Sequence, residues 1–154
     1  MAAYFFDSSA LVKRFIRETG TAWVMSLWRP SAGHAIYAAR LTEVETCAAL
    51  ARRHKGNKLT VAQFHKSLKR LRRDFTGRLA VGATTEGVVL EALRLAETHA
   101  LRGYDALQLA FALEANRRRV QRQLPPLTLV SADTDLNQAA QAEGLAVEDP
   151  NNHP

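Results

Sequence analysis

Residues 3–17 read A-Y-F-F-D-S-S-A-L-V-K-R-F-I-R, and the parsing of this stretch decides the fold. Tyr4 to Phe6 is a short aromatic run of the kind found in buried strands. It stops at a carboxylate, Asp7. From Ser9 to Arg17 the apolar residues Leu11, Val12, Phe15 and Ile16 fall at helical spacing. Asp7 therefore stands where a strand passes into a helix. Either it caps that helix, a role Asp favours, or it holds something at the end of a sheet.

The strand-to-helix step recurs along the chain. Thr21 to Trp28 suggests a short helix ended by Pro30, and Ala35 to Ala38 a strand. A helix from Thr42 to about His54 turns at Gly56-Asn57. Thr60 caps the next helix, with Val61, Phe64, Leu68 and Leu71 on one face. Leu79 to Val81 is a further strand candidate, and a helix spans Thr85 to His99. Gly103 precedes a helix from Tyr104 to about Arg119, which Pro125-Pro126 stops. Leu127 to Val130 is the clearest strand. A helix over Asp135 to Glu143, closed by Gly144, leads to a last strand at Leu145 to Val147.

This alternation predicts an α/β fold: one domain over residues 1–150, with a mostly parallel sheet of about five strands flanked by helices. No repeat or linker interrupts it. Residues 151–154, N-N-H-P, are expected to fray.

A chain of 154 residues is long enough to bury a core without staples. Cys47 is the single cysteine, so a disulfide framework and a thiolate metal cluster within the chain are both excluded. Its Ala-rich helical setting suits a small buried hydrophobe. Charged residues break the N-terminal segment, which lacks a secretory pattern, and no apolar run is long enough for a membrane span. The expectation is a soluble cytoplasmic protein. A net charge of +6 favours polyanionic partners.

In open α/β sheets, sites form beyond the carboxyl ends of the strands. Asp7 and Asp133 sit at predicted strand ends, and Glu45 and Asp105 in the first turns of predicted helices, so all four can reach one rim. Each has a plain structural alternative. Asp7 and Asp133 suit N-caps. Thr42-Glu43-Val44-Glu45 suits a capping box. Asp105 complements a helix dipole. Glu43 and Asp135 compete with Glu45 and Asp133. Together, four carboxylates repel by about 3 kcal/mol per pair at ~5 Å and an effective dielectric of about 20. Such a group needs protons or a cation. Its oxygen donors suit Mg²⁺ or Mn²⁺. Beside a basic surface, that chemistry points to phosphodiesters.

Four stretches carry a family resemblance: Y-F-F-D-S-S-A-L-V-K, R-L-T-E-V-E-T-C-A-A-L-A-R-R, L-R-G-Y-D-A-L-Q-L-A-F-A-L and L-T-L-V-S-A-D-T-D-L-N-Q-A-A-Q-A-E-G-L. In this order the sequence resembles the PIN-domain nucleases, specifically VapC-type toxins of toxin–antitoxin modules. The resemblance implies a parallel sheet flanked by helices and a metal-dependent endoribonuclease using Mg²⁺ or Mn²⁺. It also implies an RNA substrate, a homodimer and a small antitoxin partner. It assigns the metal ligands to Asp7, Glu45, Asp105 and Asp133. Ser9 takes the place of the hydroxyl that supports the first acid, and Ser131 that of a threonine common in the family. A non-catalytic RNA-binding module and a metal-dependent phosphatase are the rival readings.

Between Glu45 and Asp74 there are nine Lys or Arg and no acid. This run is either a solvated helix face or a nucleic-acid surface. Arg117, Arg118, Arg119 and Arg122 form a second basic cluster. Lys13, Arg14 and Arg17 are the basic residues expected nearest a phosphate. Trp23, Val24, Leu27 and Trp28 form either core or a groove for an antitoxin helix. The five histidines show no metal-ligand spacing.

Overall fold

Strand β1, Ala3–Phe6, is the aromatic run quoted above, and it occupies the centre of the sheet. The computed structural model describes all 154 residues, Met1–Pro154. The other strands are β2 (Ala35–Ala39), β3 (Ala80–Gly82), β4 (Thr128–Val130) and β5 (Ala146–Glu148). Every pairing is parallel, in the order β3-β2-β1-β4-β5. The helices are α1 (Ser8–Leu11), α2 (Thr21–Leu27), α3 (Arg40–Lys55), α4 (Val61–Arg73), α5 (Glu86–His99), α6 (Gly103–Gln121) and α7 (Thr134–Ala142).

Alternation along the strands supplies two cores. Phe5 and Leu129 pack with Leu95, Leu109 and Leu136 of α5, α6 and α7. Phe6, Ile36 and Val130 pack on the other face with Leu11, Val24, Leu50 and Leu71 of α1 to α4. Each such fully buried side chain stabilises the fold by roughly 1.5–3 kcal/mol. The chain travels β1-β2-β3 with its helices on one face, then β4-β5 with helices on the other. Right-handed crossovers require this change of face when the direction reverses. The reversal falls between β1 and β4, the switch point at which open sheets form a crevice.

Four local expectations are corrected. The helix after Asp7 is only one turn long, and Val12–Arg14 tightens into a 3-10 turn. Helix α3 begins at Arg40, directly from β2, with Ala39 as an N-cap that supplies no side chain. Thr42 is thus inside the helix and fully buried, so it forms no capping box with Glu45. Glu45 lies in the second turn. A capping box does form at Thr60 with Gln63.

The tail is packed rather than frayed. Pro150–Asn152 form a 3-10 turn, and Asn151 Oδ1 accepts from the buried Lys13 Nζ at 2.9 Å. The His153 ring stacks on Trp23 with centroids 4.1 Å apart. Gly20, at φ +83°, lies beneath this turn, where a Cβ would collide with the Pro150 carbonyl. Val24, Leu27 and Trp28 belong to the core. No helix is long and apolar enough to cross a membrane.

Candidate active site

Asp7 and Asp133 follow the two strands that flank the switch point. Asp7 caps α1, its Oδ1 accepting the Ala10 amide at 2.9 Å. Asp133 caps α7, accepting the Leu136 amide at 2.9 Å. The capping alternative is therefore correct for both, and each carboxylate has a second oxygen beyond the cap. Two hydroxyls tie these strand ends together. Ser9 Oγ donates to Asp7 at 2.7 Å and accepts the Ala132 amide at 2.9 Å. Ser131 Oγ donates to Asp7 Oδ2 at 3.0 Å and accepts the Asp133 amide at 3.0 Å.

Asp105 and Glu45 approach from the helices. Asp105 is in the first turn of α6 and Glu45 in the second turn of α3. Glu45 Oε2 accepts from Gln108 Nε2 at 2.8 Å. Its neighbour Glu43 is paired instead with Arg40 at 2.7 Å. A cleft of about 390 Å³ is lined by Asp105, Asp133, Asp135 and Arg102. A second, of about 530 Å³, is lined by Glu45, Arg102, Tyr104 and Asp105. Asp7, 3% exposed, lines neither cleft and is joined to the Asp133 amide through Ser131.

Burial, with repulsion between the acids second, disfavours the charged form of two of these carboxyls. Burial pushes the Asp7 carboxyl up to about 7, against the pull of its Ser9, Ala10 and Ser131 hydrogen bonds, and Asp133 adds repulsion. Asp105 is also raised, first by burial and then by Asp133, with Glu45 and Asp135 contributing; Arg102 opposes them. These couplings link the four acids and Asp135 through Asp105 and Asp133. The side chains ring the rim rather than closing on one point: no three His, Cys, Asp or Glu are grouped tightly enough to hold an ion. The donor set is all oxygen and short of positive charge, which fits a hard divalent cation.

Sequence reasoning misplaced the nearby cations. Lys13 is buried and bonded to Glu18, the Thr19 carbonyl and Asn151. Arg14 forms a two-pronged pair with Asp74 at 2.7 and 3.1 Å and lies 4.0 Å over the Trp28 ring. Neither faces a phosphate. Arg102, exposed and lining both clefts, is the basic residue at the rim. Arg117 and Arg118 pair with Glu114, while Arg119 is buried against the Tyr37 hydroxyl and the Pro125 carbonyl. Lys66, Lys69, Arg72 and Arg73 of α4 remain exposed. Gln108 was missed. Its only sequence signal is an amide set in the apolar run A-L-Q-L-A-F.

Fold and rim together define an α/β protein whose polar centre is a carboxylate group at the switch point of a parallel sheet. The chain belongs to the PIN-domain family, whose model matches residues 4–142. A curated relative, Ribonuclease VapC45 of Mycobacterium tuberculosis (strain CDC 1551 / Oshkosh), is 33% identical over 147 residues, spanning 96% of this chain and 95% of the relative. Solved structures with the same fold include PAE2754 from Pyrobaculum aerophilum, with a TM-score of 0.65 and 22% identity over 98% of this chain and 92% of that one. Another is a toxin–antitoxin complex from Klebsiella pneumoniae, with a TM-score of 0.59 and 16% identity over 96% of this chain and 97% of that one. At these identities the two structures support the fold alone.

Proposed function

We propose that this chain is a metal-dependent endoribonuclease, the toxin member of a toxin–antitoxin pair, and that it acts in the cytoplasm. Membership of the PIN-domain family and the ribonuclease name of its relative support the activity. The single observation that carries the reading is the gathering of carboxylates at the switch point, with Asp105 and Asp133 on one cleft and the buried Asp7 tied to the Asp133 amide through Ser131.

Asp7, Glu45, Asp105 and Asp133 hold Mg²⁺ or Mn²⁺ in this reading. A divalent cation held there would supply Lewis acidity for a nucleophilic water and for the charge on the scissile phosphate. Ser9 and Ser131 orient Asp7 through the bonds described above. Arg102 offers a guanidinium to the RNA backbone at the mouth of both clefts. The exposed lysines and arginines of α4 add long-range attraction for the polyanion.

An antitoxin partner is proposed from the resemblance to VapC-type toxins and from the VapC name of the curated relative. A homodimer is proposed as well: Leu90 and Leu93 of α5 are 60% and 56% exposed on one helical face, and such a stripe suits self-association. Leu90→Glu should then shift the mass measured by light scattering from dimer to monomer.

Purified protein, freed of any partner, should cut RNA when Mg²⁺ or Mn²⁺ is added, and chelation should stop it. Asp7→Asn should abolish cleavage while the protein still melts cooperatively. Full activity in that variant would contradict the mechanism.

A further inference from the structure

We infer that Gln108, held in place by Thr42, fixes the position of the Glu45 carboxylate and so sets how tightly the acidic rim binds a divalent cation. This rests on the metal site proposed above and concerns a residue beneath that site.

Gln108 is 2% exposed and Thr42 is fully buried. Gln108 Nε2 donates to Glu45 Oε2 at 2.8 Å and to Thr42 Oγ1 at 2.9 Å. The Thr42 hydroxyl donates in turn to Gln108 Oε1 at 3.1 Å. Both amide hydrogens and the amide oxygen are thus engaged. The carboxylate fixes the sense of the amide, since the flipped rotamer would set oxygen against oxygen.

The geometry keys two helices to each other. Thr42 and Glu45 are three residues apart on α3, and Asp105 and Gln108 are three apart on α6. Residues at that spacing share a helix face. Each helix therefore sends one acid to the rim and one neutral polar group to the layer below. Glu45 is a long side chain on a helix, and Gln108 supplies its one side-chain hydrogen bond. Without that bond the carboxylate is free to leave Asp105, and groups that orient a metal ligand typically govern affinity. Gln108 is a positioning residue, since it does not reach the rim itself.

The test is calorimetric titration of Mn²⁺ into purified protein, with a thermal melt on each sample. Gln108→Leu should weaken Mn²⁺ binding about 10–100-fold. Thr42→Val should weaken it in the same direction, and Thr42→Ser, which restores the hydroxyl, should bind like the wild type. In a Glu45→Gln background, Gln108→Leu should add little. A purely structural role would lower the melt and leave Mn²⁺ affinity unchanged. The inference is overturned if Gln108→Leu and Thr42→Val bind Mn²⁺ as tightly as the wild type. It is equally overturned if the Gln108→Leu penalty persists in full without Glu45. Should Gln108→Leu fail to fold, Thr42→Val and Thr42→Ser decide the matter. A wild type that binds no Mn²⁺ overturns the metal site itself, and this inference with it.

Discussion

Ser131 Oγ donates to Asp7 Oδ2 across the β1–β4 junction at 3.0 Å while accepting the Asp133 amide at the same distance. One buried hydroxyl thereby couples the acids that end neighbouring strands. Ser131→Ala should remove this link and leave a buried carboxylate short of a donor, at a cost of about 1–3 kcal/mol. RNA cleavage should fall roughly 10–100-fold, as for other groups that orient metal ligands. Ser131→Thr, which keeps the hydroxyl, should retain most of the activity. Parallel losses in the alanine and threonine variants would argue against the hydroxyl.

Asp7 makes stability depend on pH. Its folded value of about 7 stands above its ordinary 3.8. Below pH 4 both folded and unfolded chains carry the proton. Between pH 4 and about 7 only the folded chain keeps it, so metal-free stability falls as pH rises across that window and levels off above it. Asp7→Asn retains a capping side chain without the buried charge. It should melt higher than the wild type at pH 7.5, by about 2–4 °C for each kcal/mol relieved, and the gap should close by pH 4. Mn²⁺ affinity of the wild type should rise with pH through the same region, because binding displaces the proton. Parallel melting profiles for the two proteins would assign the titration elsewhere.

Arg102 and Lys13 separate substrate contact from scaffold. Arg102→Ala should weaken RNA binding and reduce the salt slope by about 0.7 for a single strand, with the melt unchanged. Lys13→Met should lower the melt, since it removes bonds to Glu18, Thr19 and Asn151, and leave the salt slope as it was. Filter binding at several salt concentrations reads both. An unchanged slope in Arg102→Ala would remove that residue from the RNA path.

Asp74→Asn should be among the most destabilising surface-distant changes. Arg14 and Asp74 are 8% and 4% exposed, and the guanidinium lies over Trp28. Removing the acid leaves a buried cation unpaired, at a cost of about 3–5 kcal/mol. The urea midpoint should fall accordingly, and Arg14→Met should recover part of the loss in the double variant.

The layout of strands and helices was legible because its signals are local. Aromatic runs, helical spacing and the Gly and Pro breaks need no knowledge of tertiary contacts, and they bracket all five strands. The approach of Asp105 and Asp133 to one cleft, with Asp7 buried behind it, followed from topology, which puts strand ends and helix starts on one edge. What failed depends on distant partners. Nothing near Arg14 in sequence announces Asp74, sixty residues on. The capping box at Thr42 had the right letters, yet β2 passes directly into α3 at Arg40 and carries Thr42 inside. The tail looked free because Trp23 and Lys13, which hold it, lie near the other end of the chain. Gln108 is the instructive omission: a lone amide in an apolar helix asks for a buried polar partner, and it has two.

Anomalous scattering from crystals soaked in Mn²⁺ tests the metal site most directly. The expected result is a peak on the rim within ligand distance of Asp7, with Asp105, Asp133 and Glu45 drawn towards it and Glu43 still paired with Arg40. A saturating soak with no peak there, in protein that cuts RNA equally well with and without chelator, would contradict it.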